Sequence, residues 1–258
     1  MKRYFLLLLL IPISLYAFIT LKAQQTIRVA VAANMALPMH EIKKAFESEY
    51  PEVSIEIISA SSGKLTAQIS NYAPFHIFVS ADMQYPKKLY ENGICKQKPA
   101  VITNGKLVIW SKEKFTNHDN SSLISLIEGN RVKNIAIAEP VLAPYGTNAK
   151  NWLQKKGVWE KVKDKLVYGE NVGKVNQYIF SESVEIAFTA SSAANSTQLS
   201  KKGHWIPISN WTGIPHGGMI LDYGIQNQAQ ASETFFNFLM SAESKNILEN
   251  FGYSTELN

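Results

Sequence analysis

Residues 26–62 read TIRVAVAANMALPMHEIKKAFESEYPEVSIEIISASS. The run TIRVAVAA (26–33) is rich in β-branched and small apolar residues, as a buried strand requires. From about Met35, the residues Met39, Ile42, Phe46 and Tyr50 recur at helical spacing, and Pro51 stops the helix. A second strand, VSIEIISA (53–60), then leads through Ser61, Ser62 and Gly63 into a short helix carrying Leu65, Ile69 and Tyr72. Strand, helix and strand at this spacing form the repeating unit of an α/β fold.

The same rhythm continues along the chain. FHIFVSA (75–81) is a strand followed at Asp82 by a helix ending near Gly93, and KLVIWS (106–111) is a further strand. SLISLIEG (122–129) is helical; NIAIAEP (134–140) precedes a helix within 143–157, and KLVYGE (165–170) precedes one within 171–183. EIAFTAS (185–191), WIPISNW (205–211) and GGMILDYG (217–224) follow, and a helix over 232–252 closes the chain, packing Phe235, Phe236, Leu239 and Met240. Helices covering largely parallel sheets are expected, and periodicity leaves open whether they form one sheet or two lobes. No tandem repeat or low-complexity tract interrupts the pattern.

The opening MKRYFLLLLLIPISLYAFITLKAQQ has a basic start, an apolar run and a small residue, Ala23, before polar glutamines. This is the layout of a cleavable signal peptide over residues 1–23; an uncleaved membrane anchor is the competing reading. Removing Lys2, Arg3 and Lys22 leaves 23 basic against 21 acidic side chains, a net charge of +2, so nothing points to a nucleic-acid surface. Cys95 is the single cysteine, which excludes an intramolecular disulfide. His40, His76, His118, His204 and His216 lack metal-ligand spacing.

Four strand-to-helix junctions share one chemical character: Ala33–Asn34, Ser61–Ser62, Pro144–Tyr145–Gly146 and Asn171–Val172. Each puts an uncharged donor or a backbone N–H at the start of a helix, where unpaired amides and a partial positive charge suit an anion. Open α/β sheets bind ligands beyond the carboxyl ends of their strands. Taken singly, Asn34, Ser61, Ser62 and Asn171 read as helix caps, and Asp82 caps the helix after FVSAD. It is the recurrence at four junctions that favours a shared site.

VAVAANM (29–35), SASSGKLTAQI (59–69), APFHIFVSADMQYPKKL (73–89), NGKLVIWS (104–111), AEPVLAPYGTNAK (138–150) and GENVGKV (169–175) together resemble the periplasmic molybdate-binding proteins of ABC transporters. The resemblance runs in register to the final Gly252–Tyr253. It implies a two-lobed type II periplasmic binding protein fold: an α/β architecture in which each lobe is a mixed sheet flanked by helices, with the ligand cleft between. Lobe 1 would hold 24–104 with 223–258 returning to it, and lobe 2 would hold 105–222. KLVIWS and GGMILDYG would carry the crossings.

Carried over position by position, the ligand contacts fall on Ala33, Asn34, Ser62, Tyr145 and Val172. Side-chain donation is expected from Asn34 and Ser62, and backbone donation from Ala33, Ser62, Tyr145 and Val172. Phe188 stands where some relatives have a tyrosine ligand, and Tyr145 would supply part of that contact by hydroxyl or backbone. The implied protein is a monomer without cofactor or catalysis, bearing molybdate or tungstate with no direct protein–metal ligand to a permease in the inner membrane. Only donors face the guest in this set, which disfavours protonated phosphate unless Glu139 or Glu170 turns inward. Sulfate or thiosulfate is the alternative cargo. A hydrolase using Ser61 or Ser62 lacks a G-x-S-x-G elbow and a recognisable histidine partner.

Overall fold

The computed structural model of the chain describes residues 24–114, 120–208 and 213–255; the expected signal peptide, His118 and the end of WIPISNW lie outside them. The chain first lays down β1 (Gln25–Ala32), β2 (Val53–Ala60), β3 (Ile77–Val79) and β4 (Ala100–Gly105). It then builds a second sheet from β5 (Leu107–Ser111), β6 (Ile135–Ala138), β7 (Leu166–Gly169), β8 (Ile186–Ala190) and β9 (His204–Pro207). Finally it returns to the first sheet in β10 (Ile214–Ile220). The spatial orders are β2-β1-β3-β10-β4 and β7-β6-β8-β5-β9. Two separate sheets answer the question periodicity left open.

Each sheet is mixed by the same device. In the first, β1 pairs in parallel with β2 and β3, and β10 runs antiparallel to β3 and β4. In the second, β6 pairs in parallel with β7 and β8, and β5 runs antiparallel to β8 and β9. The antiparallel members are the strands on either side of the passages between sheets, so these passages dilute the expected parallel pattern.

The helices are α1 (Ala36–Glu49), α2 (Ser62–Ser70), α3 (Gln84–Glu91), α4 (Asn120–Glu128), α5 (Pro144–Lys155), α6 (Trp159–Val162), α7 (Val172–Phe180), α8 (Ser191–Ala194), α9 (Asp222–Leu239) and α10 (Ala242–Asn250). Helix α1 buries Met39, Ile42 and Phe46 as its spacing predicts. Phe46 meets Phe235 and Phe238 edge-on at 4.9 and 5.3 Å, tying the start of the first sheet to the end of the chain. Burying one such ring contributes about 1.5–3 kcal/mol.

Four readings change. The closing helix is two: α9 starts at Asp222, ten residues early, bends at Gln228 and ends before Ser241, whose side chain accepts from Ser244 N–H to cap α10. Tyr72 lies beyond α2, at positive φ and 86% exposed, so it is no packing residue. AVITNG (100–105) is a strand that its Asn–Gly pair disguises as a turn. Residues 214–220, read with the second lobe, pair with the first sheet.

Candidate functional site

The strands β1, β2, β6 and β7 each lead into a helix: β1 into a 3-10 turn (Ala33–Met35), β2 into α2, β6 through a short loop into α5, and β7 into α7. These four ends converge on one small hollow between the sheets. Ala33 and Asn34, Ser61 and Ser62, Tyr145, and Val172 all line it. The structure therefore brings together all five residues singled out from the sequence and adds Ser61.

Main-chain donors come from the first turns of the helices, whose amides precede the first intrahelical bond. In α2 that bond runs from Leu65 N–H to Ser61 O, at 3.0 Å, and Gly63 N–H crosses to Leu142 O of the other unit at 2.9 Å. Ser62 N–H stands before both. In α5, Pro144 has no amide to satisfy and Thr147 N–H reaches back to Ala143 O at 3.1 Å, which leaves Tyr145 in the open first turn. A methyl on Gly146 would fall on the Ala138 carbonyl oxygen, so only glycine lets α5 start this close to β6. In α7, the Asn171 side chain caps by accepting from Lys174 N–H at 3.1 Å, and Val172 N–H follows it directly.

The two serine hydroxyls behave differently. Ser62 Oγ accepts from Ala81 N–H at 3.0 Å, which leaves its own proton for a guest. Ser61 precedes α2 but makes no capping bond, and its Oγ is buried without a partner among the described residues. Sequence reasoning weighed Ser61 and carried only Ser62 into the ligand set. Whether a serine before a helix caps it or faces away depends on the turn of the chain, which no residue spacing reveals.

Asn34 departs from expectation. Its Nδ2 lies 2.6 Å from His216 Nε2 and donates to the Tyr253 hydroxyl at 3.0 Å, so both amide hydrogens are engaged away from the hollow. What Asn34 can offer a guest is its main-chain N–H. The Tyr145 hydroxyl is likewise turned away, toward Gly105 and the His216 ring, and is buried without a partner among the described residues. Burial pushes its phenol well above the ordinary value. His216 and Tyr253, neither foreseen as part of the site, back it directly.

Among the described residues, no charged side chain lines the hollow. Lys64 pairs with Glu170 at 2.8 Å near the surface, and Lys174 bonds Gln177 Oε1 at 3.2 Å. Glu139 Oε1 accepts from Val141 N–H at 3.4 Å. Asp82 accepts from Tyr85 N–H at 3.2 Å, a helix-start role, while burial raises its carboxyl above the usual range. His216 Nε2 faces Asn34, and the hydrogen bond of Ser62 Oγ is with a main-chain amide, so neither forms a nucleophile–base pair with the other. Phe188 packs on Trp152 at 5.5 Å in the core of the second sheet. Converging neutral donors suit an anion, and the hollow, about 10 Å³ as it stands, must widen to admit one.

Comparison with known proteins follows this chemistry. The family model for bacterial extracellular solute-binding proteins matches residues 27–254. Molybdate-binding protein ModA of Azotobacter vinelandii is 30% identical over 233 residues, 89% of this chain and 90% of that protein. Molybdate-binding protein ModA of Rhodobacter capsulatus is 30% identical over 231 residues, 88% and 87% of the two chains. The solved structure of the Azotobacter vinelandii periplasmic molybdate-binding protein superposes with a TM-score of 0.80 at 26% identity, covering 90% of this chain and 100% of that one.

Proposed function

We propose, from the premise that the chain belongs to the bacterial extracellular solute-binding protein family, that it captures molybdate, or the chemically similar tungstate, and delivers it to an ABC importer. The observation that carries this reading is the meeting of four helix starts and two serine hydroxyls in a hollow that, among the described residues, no charged side chain lines. A buried dianion is costly unless its oxygens all receive donors. Hydrogen bonds to an ionised acceptor contribute about 1.5–3 kcal/mol each. Some six of them therefore offset an association cost of about 4–15 kcal/mol. The donors assigned are the main-chain N–H groups of Ala33, Asn34, Ser62, Tyr145 and Val172 with the hydroxyls of Ser61 and Ser62.

The first lobe comprises the β2-β1-β3-β10-β4 sheet with its helices and the second lobe the other sheet, the guest being enclosed as they close. Strand β10, which pairs with β3 and β4, is taken with the first lobe. The protein acts as a monomer outside the cytoplasmic membrane after residues 1–23 are removed, and it needs no cofactor. Its guest's metal is reached only through oxygen. No catalytic step is assigned to Ser61 or Ser62.

Calorimetry of the chain from residue 24, titrated with molybdate, tungstate, sulfate, thiosulfate and phosphate, tests the reading. Molybdate and tungstate are expected to bind tightly and to change the fluorescence of Trp152, which shares α5 with Tyr145. Preference for sulfate or thiosulfate would reassign the cargo, and silence toward every oxyanion would end the reading.

A further inference from the structure

Behind the hollow lies a second polar cluster, fully buried, to which anion binding alone gives no task. At its centre is His216 on β10, 0% exposed. A register shift between His216 and Gly217 interrupts the pairing with β4 at this point, the kind of irregularity that re-aims a strand side chain. The ring Nδ1 lies 2.7 Å from Ile214 O. A carbonyl can only accept, so Nδ1 carries the proton and, in the neutral ring, Nε2 is an acceptor. Burial drives the imidazole down to about 4, which keeps it neutral. The acceptor faces Asn34 Nδ2 at 2.6 Å.

Asn34 is pinned from every side. Its second amide hydrogen goes to the Tyr253 hydroxyl, and that hydroxyl donates back to Asn34 O at 2.8 Å. Ser192 Oγ, from α8 beside the second sheet, donates to the same carbonyl at 3.0 Å. The rings of Tyr145 and Tyr253 both stand edge-on to His216, at 5.9 and 5.5 Å. Gly105 makes this possible, since a methyl there would fall on the Tyr145 hydroxyl and on the imidazole. The cluster thus draws His216, Asn34 and Tyr253 from the first unit and Tyr145 and Ser192 from the second.

We propose that His216 is a positioning residue for the anion site: as a hydrogen-bond acceptor it holds the Asn34 carboxamide and so aims the Ala33–Asn34 main chain into the hollow. This rests on the reading of the hollow as an oxyanion site. Tyr145 and Ser192 complete the cluster only when the two units are together, so the same contacts tie the set of the first-lobe donors to closure.

The test titrates molybdate into the mature chain carrying His216→Phe or His216→Gln. The phenylalanine keeps a ring but leaves a buried Asn34 N–H unanswered, and affinity should fall roughly 10- to 100-fold. Glutamine supplies an acceptor oxygen, and its affinity should recover to within about fivefold of the unmutated chain. Unchanged affinity in His216→Phe, or equal losses in both variants, overturns the positioning role while molybdate binding by the unmutated chain keeps the anion reading intact. Failure of the unmutated chain to bind molybdate removes both. Nitrogen NMR of the unmutated chain needs no variant: the proposal requires a ring protonated at Nδ1 and a coupling across the Asn34 Nδ2–H to His216 Nε2 bond, and an Nε2–H tautomer overturns it.

Discussion

The two sides of the hollow are built from different material. The first sheet's side brings hydroxyls, Ser61 and Ser62, and a three-residue turn whose Asn34 must be braced by His216 and Tyr253. The second is assigned main-chain amides, at the starts of α5 (12 residues) and α7 (9 residues), its Asn171 side chain serving to cap α7. A backbone donor belongs to its helix and is as well placed as that helix is. A donor on a short turn needs neighbours to hold it. The second side should thus be sensitive to how helices seat on strands, and the first to individual side chains.

The largest effect should come from disturbing a seat. Gly146→Ala puts a methyl against Ala138 O, a main-chain atom that cannot rotate aside. Overpacking of this kind costs about 1–3 kcal/mol, or a melting temperature lower by about 5 °C for a chain of this size. Because α5 must shift bodily, the Tyr145 amide leaves its place, and molybdate affinity should fall more than about 150-fold, beyond the roughly 10- to 150-fold of one charge-assisted bond. Normal binding in this variant would mean that α5 takes no part in the site.

Next, one donor can be removed from each side. Ser62→Ala deletes a hydroxyl, and Val172→Pro deletes an amide at a helix position proline favours. Asn171 has φ −156° and ψ 177°, an extended geometry that tolerates a following proline. Each loss should lower affinity about 10- to 150-fold. Stability should separate them: Ser62→Ala orphans Ala81 N–H and costs about 1–3 kcal/mol without ligand, whereas Val172→Pro leaves the melting curve close to its starting point. Equal destabilisation of both would erase the contrast between the sides.

How much of this was legible follows the same division. The strands and helix starts were readable because apolar runs and their punctuation act locally, and VSIEIISA matches β2 residue for residue. The four junctions were readable as donors because every helix start has open amides. What spacing could not carry was long-range: Asn34 lies 182 residues from His216 and 219 from Tyr253, so nothing near it announces that its carboxamide is already engaged. The pairing of the returning strand β10 was hidden for a related reason. AVITNG and IPHGGMI pair with each other across more than 100 residues, and their Asn, Gly and Pro residues read locally as turns.

Ser61→Ala sharpens the first side further. Its hydroxyl has no partner among the described residues, so removing it should leave the ligand-free protein as stable as before, or more stable by up to about 1 kcal/mol. With molybdate, affinity should drop roughly tenfold, one bond to an ionised acceptor at the low end of its range. A stability loss without an affinity loss would make Ser61 structural and return the ligand set to Ser62 alone.

The smallest effect should come from an ion pair that joins the two sides at the rim, Lys64 of α2 with Glu170 just before α7. Both side chains are about half exposed, and such pairs contribute about 0–1 kcal/mol. Lys64→Ala should thus weaken molybdate binding by less than about fivefold, and the difference should vanish near 1 M salt, where the Debye length is about 3 Å. Glu170→Ala should match it, and the double variant should add nothing more, because the pair acts only as a clasp on closure. If Lys64→Ala instead costs more than Ser62→Ala and Glu170→Ala strengthens binding, the lysine's charge is acting on the guest itself. The hollow would then owe its affinity to a cation at its edge, and the contrast between hydroxyl and amide sides would be secondary to it.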